Sequence, residues 1–169
     1  MQSLRVFLKE DSIEGKRFLD IGSDSGLFSL ATYRLGAEVV SFDYDEDSVQ
    51  CTQKLKDMMG DTSRLWSVFQ GSILDQEMLR GLGTFDIVYS WGVLHHTGNM
   101  QQAFENVAPL VAPHGKLFIS IYNDQGFPSK GWLYIKKMYN SYPILRLIIV
   151  AFCAPWQWKY RIAYGTIRY

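Results

Sequence analysis

The chain predicts an α/β fold: one parallel sheet in the strand order 3-2-1-4-5, with helices on both faces. Three observations carry this. Short apolar runs alternate with longer amphipathic stretches at the spacing of βαβ units. The runs Arg17–Ile21 and Phe85–Ser90 are apolar nearly throughout, as strands covered on both faces must be. Right-handed crossovers then leave one order for five such strands.

Residues 1–12 read as a short leading helix and Ile13–Lys16 as a turn. Arg17–Ile21 is the first strand, and Ser25–Leu35 the first helix, with Gly36 in the C′ position. Glu38–Phe42 is the second strand. Asp47–Met59 is a helix with Asp47 as its N-cap and Gly60 just past its end. Trp66–Gln70 is the third strand, Gln76–Leu82 a short helix and Phe85–Ser90 the fourth strand. Asn99 leads into a helix over Met100–Val111, which Pro109 ends or bends early. A Pro113-His114-Gly115 turn then delivers the fifth strand, Lys116–Tyr122. Past Asn123 the pattern turns helical, over Lys130–Tyr139 and Ile144–Ala154, before a Trp- and Tyr-rich terminus. The expected division is therefore a core of residues 1–124 and a tail of residues 125–169.

The formal charge is zero, from 17 basic and 17 acidic residues, but the two signs are segregated. Every Asp and Glu lies at or before Asp124. The tail holds Lys130, Lys136, Lys137, Arg146, Lys159, Arg161 and Arg168, which makes it +7; the core is then 10 − 17 = −7. Spread charge of this kind disfavours a nucleic-acid surface. Apolar bulk, interfacial aromatics and cations suit a peripheral membrane contact or an anionic partner. A cap over the site and a homodimer contact are equally open readings of the same tail. Cys51 and Cys153 are far apart and imply neither a disulfide framework nor a metal site, so a reducing, cytoplasmic setting is expected. Lys9, Glu10 and Asp11 interrupt any secretory apolar region. The longest apolar run, Leu147–Pro155, is about half of the roughly 20 residues a spanning helix needs.

The functional signal begins at Phe18-Leu19-Asp20-Ile21-Gly22-Ser23-Asp24-Ser25-Gly26, with Asp43 closing the next apolar run. Glycines let the backbone approach a ligand, and an acid at the end of the next strand accepts hydrogen bonds from ribose hydroxyls. A dinucleotide fingerprint starting at Gly22 needs glycines where this chain has Asp24 and Leu27, so that reading fails. What remains is D-x-G-x-x-x-G.

This loop resembles the S-adenosylmethionine loop of class I methyltransferases. Over roughly residues 15–124 the likeness extends to Gly71-Ser72-Ile73-Leu74-Asp75, Phe85–His96 and Val107–Gly115, and is closest to the ubiquinone/menaquinone-biosynthesis type. It implies a Rossmann-like methyltransferase sheet. The C-terminal antiparallel hairpin usual to that sheet is not found here: either the chain stops inside a helical insertion, or helices replace the hairpin.

The resemblance also implies roles. Asp20 would help hold the loop and the methionine amine, or else cap the following helix. Gly22, Ser23, Asp24 and Gly26 would lie under the amino-acid part of the cofactor, with Asp24 standing where the family usually has Gly. Asp43 would accept from both ribose hydroxyls, and Tyr44 would lie against the adenine. Ser72, where the family usually has an acid, and the Ile73 amide would meet the adenine amino group. Ser90 would offer a carbonyl to the methionine amine, and Trp91 a wall for the methyl acceptor. His95 and His96 follow at the same edge; a neutral imidazole there can take a proton from a hydroxyl acceptor, or serve as a packed loop anchor.

The reaction implied is methyl transfer to oxygen or carbon of a small, quinone-like or lipid-like acceptor, with S-adenosylhomocysteine as product and no metal. The alternatives are a protein that binds S-adenosylmethionine without turnover and an interaction module that has lost the cofactor.

Overall fold

The computed structural model describes residues 12–58, 65–122, 126–153 and 155. The leading helix expected over 1–12 and the aromatic terminus lie outside the described residues, Ser12 and Pro155 apart. Contacts divide the chain into two units, Met1–Tyr122 and Asn123–Tyr169.

The first unit is a five-stranded parallel sheet in the order β3-β2-β1-β4-β5. Its elements are β1 (Arg17–Ile21), α1 (Leu27–Arg34), β2 (Glu38–Asp43), α2 (Glu46–Met58), β3 (Trp66–Gln70), α3 (Gln76–Arg80), β4 (Phe85–Trp91), α4 (Met100–Val107) and β5 (Val111–Ser120). Single 3₁₀ turns follow β4 at Leu94–His96 and α4 at Ala108–Leu110. The β1 strand sits at the centre because Phe18, Leu19 and Ile21 are apolar on both faces and wholly buried.

Alternation along the strands builds two cores. One face carries Leu19, Ile21, Phe42 and Val88 against Ile73, Leu79, Leu94, Ala103, Val107 and Leu110. The other carries Phe18, Val39, Ile87 and Tyr89 against Ile13, Tyr33, Ala37 and Trp66. At the amino edge, the Arg17 guanidinium donates to the carbonyls of Thr84 and, at 3.0 Å, Leu82, and lies 4.4 Å over the Phe85 ring. It thereby ties the entry of β4 to the start of β1.

Two local expectations are corrected, and the early end expected of the fourth helix at Pro109 is found. Helix α2 is capped by Asp45 rather than Asp47: the Asp45 carboxylate accepts the Ser48 amide at 3.1 Å, satisfying a donor of the first turn. The α4 helix stops at Val107, since Pro109 has no amide to continue it, and a 3₁₀ turn carries the chain to β5. Pro113-His114-Gly115 is not a turn before the strand but a bulge within it. Pairing jumps from Phe85–Val111 to Ile87–Lys116, and His114 takes φ 65° to absorb the extra residues.

The second unit is helical among its described residues: α5 (Phe127–Ser141), a 3₁₀ turn at Pro143–Leu145, and α6 over 146–153.

Candidate functional site

Because all five strands are parallel, the loops after β1, β2 and β4 gather at one edge, around the point where strand order reverses. A cavity of about 570 Å³ lies there, within the range of small-molecule sites. Its lining includes Gly22, Asp43, Tyr44, Ser72, Ile73 and His96 of the residues expected from sequence. Phe42, Gly92, Val93 and Thr97 complete much of the wall.

Gly22 shapes the floor. Its φ is 77°, and a Cβ placed there would meet Val93 Cγ2 at 2.3 Å. Only glycine both adopts this turn and leaves Val93 in the wall. Gly26, at φ 73°, opens α1 in the same left-handed region, and a Cβ on it would press on Thr52 at 2.9 Å. Between them Asp24 also has positive φ, 48°, a conformation Asp tolerates better than most residues. Its side chain is exposed, while its amide donates to Asp43 Oδ2 at 2.9 Å.

Asp43 is one of two acidic residues that line the cavity, with Asp45. Its Oδ1 accepts the Asp45 amide at 3.0 Å, so each carboxylate oxygen is held by one backbone N–H. A carboxylate oxygen has acceptor capacity beyond one bond, so both oxygens can still accept from a ligand. Gly22 N–H donates to the Phe42 carbonyl and Gly71 N–H to the Asp43 carbonyl, both at 2.9 Å, which fixes β2 between its neighbours at the cavity edge. Tyr44 is exposed beside it. Ser72 Oγ accepts the Leu74 amide at 3.2 Å, and the Ile73 carbonyl accepts from Asn106 at 2.8 Å, which anchors the adjoining loop to α4.

Other expected residues lie away from the cavity lining. Asp20 is buried behind it, on the α1 face of the sheet. Ser29 Oγ donates to Asp20 Oδ2 at 2.5 Å, so the 2.8 Å Ser41–Ser29 bond must run from Ser41 to Ser29; Trp66 Nε1 in turn donates to Ser41 at 3.0 Å. A relay of three donors thus ends on one carboxyl. Burial pushes that carboxyl up to about 7, the Ser29 hydrogen bond opposes the rise, and the Asp43 charge adds to it. Ser23 is buried against Thr52 at 3.2 Å, and Ser90 Oγ donates to the Ile21 carbonyl at 3.3 Å. Trp91 is half-exposed and stacks on Tyr89, 6.0 Å between centroids. Burial, and then the Asp20 charge, raise the Tyr89 phenol above its usual range.

The two histidines form an aromatic cluster with Tyr122, a residue that sequence reasoning missed. The His95 ring lies 4.0 Å from His96 and 4.4 Å from Tyr122. Both ring nitrogens of His95 are buried without a protein partner. Desolvation first, and then the neighbouring His96, lower its pKa, so His95 is a neutral imidazole near pH 7. Sequence carried only one signal for Tyr122: an aromatic at the end of the strand that neighbours β4.

Residues 1–148 match the family described as "Methyltransferase domain". The chain belongs to that family, the class I S-adenosylmethionine-dependent methyltransferases. As a methyltransferase domain it is similar to the ribosomal protein L11 methyltransferase of Helicobacter hepaticus, at 40% identity over 73 residues, 43% of this chain and 22% of that protein. It is also similar to the ubiquinone biosynthesis O-methyltransferase of Rhizobium etli, at 31% identity over 111 residues, 66% of this chain and 43% of that protein. The chain thus spans less than half the length of these curated relatives. The magnesium protoporphyrin IX methyltransferase of Synechocystis PCC 6803, solved with bound S-adenosylhomocysteine, shares the fold: its TM-score is 0.64 at 19% identity, covering 81% of this chain and 60% of that one.

The residues at the cavity fit the family's cofactor. A glycine floor that a Cβ would fill admits close approach, and a carboxylate held by two amides at the cavity edge keeps acceptor capacity for hydroxyl groups.

Proposed function

We propose that this methyltransferase domain transfers a methyl group to oxygen or carbon of a small, quinone-like or lipid-like acceptor. The observation that carries the reading is Asp43, a carboxylate clamped by the Asp24 and Asp45 amides on the same cavity as Gly22, Ser72 and His96. When bound, S-adenosylmethionine supplies an electrophilic methyl on a sulfonium, so holding an acceptor in line supplies most of the rate effect.

In this reading Asp43 accepts from the ribose hydroxyls and Tyr44 lies against the adenine. Ser72 keeps its hydroxyl hydrogen for a ligand while its oxygen caps Leu74. The turn through Gly22, Ser23, Asp24 and Gly26 supports the amino-acid part. Asp20 supports that turn from behind, and the Ser90 carbonyl and Trp91 stand where β4 ends. His96 lines the cavity, and His95, neutral and without a protein partner, packs on it. The His96 imidazole can take the proton of a hydroxyl acceptor, with His95 packed behind it.

Of the two relatives named above, one is by name a methyltransferase of a ribosomal protein and the other an O-methyltransferase of ubiquinone biosynthesis. Cys51 and Cys153 are both outside disulfides, which fits a cytoplasmic setting.

The test is S-adenosylhomocysteine formation from S-adenosylmethionine across phenolic and quinol acceptors, with and without His96→Ala. Acceptor-dependent formation that falls at least tenfold in the variant supports the reading. Binding without formation on any acceptor favours the second reading, a cofactor-binding protein without turnover.

A further inference from the structure

We propose that Tyr122 is the stacking shelf for the methyl acceptor, which makes that acceptor a planar aromatic alcohol of the phenol or quinol class. The inference rests on the proposed function, since it needs a cofactor in the cavity and an acceptor beside it. With Asp43 and Tyr44 at the β2 end given to the nucleoside, the acceptor's side is the β4 end, where Gly92, Val93, His96 and Thr97 line the wall. Trp91 pairs with Ser120, and the Gly92 N–H donates to the Ser120 carbonyl at 2.9 Å, so the chain leaves β5 level with that wall. Two residues on, the Tyr122 hydroxyl comes within 3.9 Å of where a Gly92 Cβ would stand. Gly92, at φ 77°, leaves the space between shelf and cavity free of a side chain.

The Tyr122 ring is braced on one side and open on the other. His95 lies 4.4 Å from it at 52°, and His96 lies 5.6 Å from it edge-on. The two imidazoles are 4.0 Å apart, so the three rings support one another. No described residue pairs with either His95 ring nitrogen, so these contacts are ring packing rather than hydrogen bonds. Tyr122 nevertheless remains 72% exposed. A braced, open aromatic face offers offset stacking to a flat ring and only plain contact to a puckered one. Trp91, the other aromatic at the end of β4, instead stacks on Tyr89 of the opposite core.

The test is binding of naphthol and of its saturated counterpart decahydronaphthol to the chain saturated with S-adenosylhomocysteine. Ligand-observed NMR titrations compare the parent with Tyr122→Phe and Tyr122→Leu, and matching melting temperatures check that these changes at an exposed residue leave the fold intact. The parent should prefer naphthol by about three- to tenfold, the size of one aromatic stacking contact. Tyr122→Phe should keep that preference. Tyr122→Leu, apolar but without a ring, should lose it while S-adenosylhomocysteine affinity is unchanged. Equal binding of the two probes, binding of neither, or a preference that survives in Tyr122→Leu overturns the shelf. The expected preference with no S-adenosylhomocysteine formed on any phenol supports the shelf and overturns turnover instead. A parent that fails to bind S-adenosylhomocysteine overturns both.

Discussion

Asp43 shows how a single side chain is made into a binding group before any ligand arrives. Two amides hold its carboxylate, and one of them belongs to Asp24, which itself sits at φ 48°. Asp24 stands where a glycine is usual, yet its side chain is exposed and its contribution to the site runs through its backbone. Asp24→Gly should therefore leave cofactor affinity within about threefold, because the amide remains; calorimetry of S-adenosylhomocysteine binding checks this. Gly22 is the opposite case. Gly22→Ala forces a left-handed φ on a Cβ that would overlap Val93, and should cost roughly 1–3 kcal/mol of stability by urea denaturation as well as cofactor affinity. The His95 imidazole, desolvated and set against His96, should titrate below the ordinary 6.5, as read from its ring proton shifts in NMR.

At the scale of elements, the strands β1 to β4 and their order were legible because buried strands announce themselves as apolar runs. The candidate loop was legible because glycine and acid spacing is local. What was not legible depends on register. The relay from Trp66 through Ser41 and Ser29 to Asp20 joins four elements and needs the parallel pairing of Asp20 with Ser41. That pairing turns Asp20 behind the cavity, which no spacing rule reveals. The start of β5 was misread for a related reason: Pro113-His114-Gly115 has the composition of a turn, but pairing to β4 carries the strand through it. Capping follows the same logic. Asp45 and Asp47 are alike in composition, and only helix geometry shows which carboxylate meets an open amide. Where capping is plain it should be measurable. The Asp75 carboxylate accepts the Glu77 and Met78 amides, both at 3.1 Å, and Asp75→Ala should cost about 1 kcal/mol in thermal or urea unfolding.

For the whole molecule, the buried Asp20 carboxyl sets a pH dependence whose sign can be worked out. Its folded pKa is about 7 against the ordinary 3.8 of an Asp carboxyl. Between those values the folded state keeps a proton that the unfolded chain releases, so this group's contribution falls as pH rises from about 4 to 7 and levels off above. Asp20→Asn should remove that slope, and at pH 8 should be more stable than the parent by on the order of 1–4 kcal/mol, read from paired unfolding curves across pH. Stability is also where cofactor binding is seen most directly, since a ligand that binds only the folded state must raise its melting temperature. The decisive measurement is isothermal calorimetry of S-adenosylhomocysteine with the parent chain and with Asp43→Ala. A carboxylate that meets both ribose hydroxyls predicts binding by the parent and a loss of about 1.5–3 kcal/mol in the variant. Equal affinity in the two proteins, or no binding by the parent, would contradict the assignment of this cavity to the cofactor.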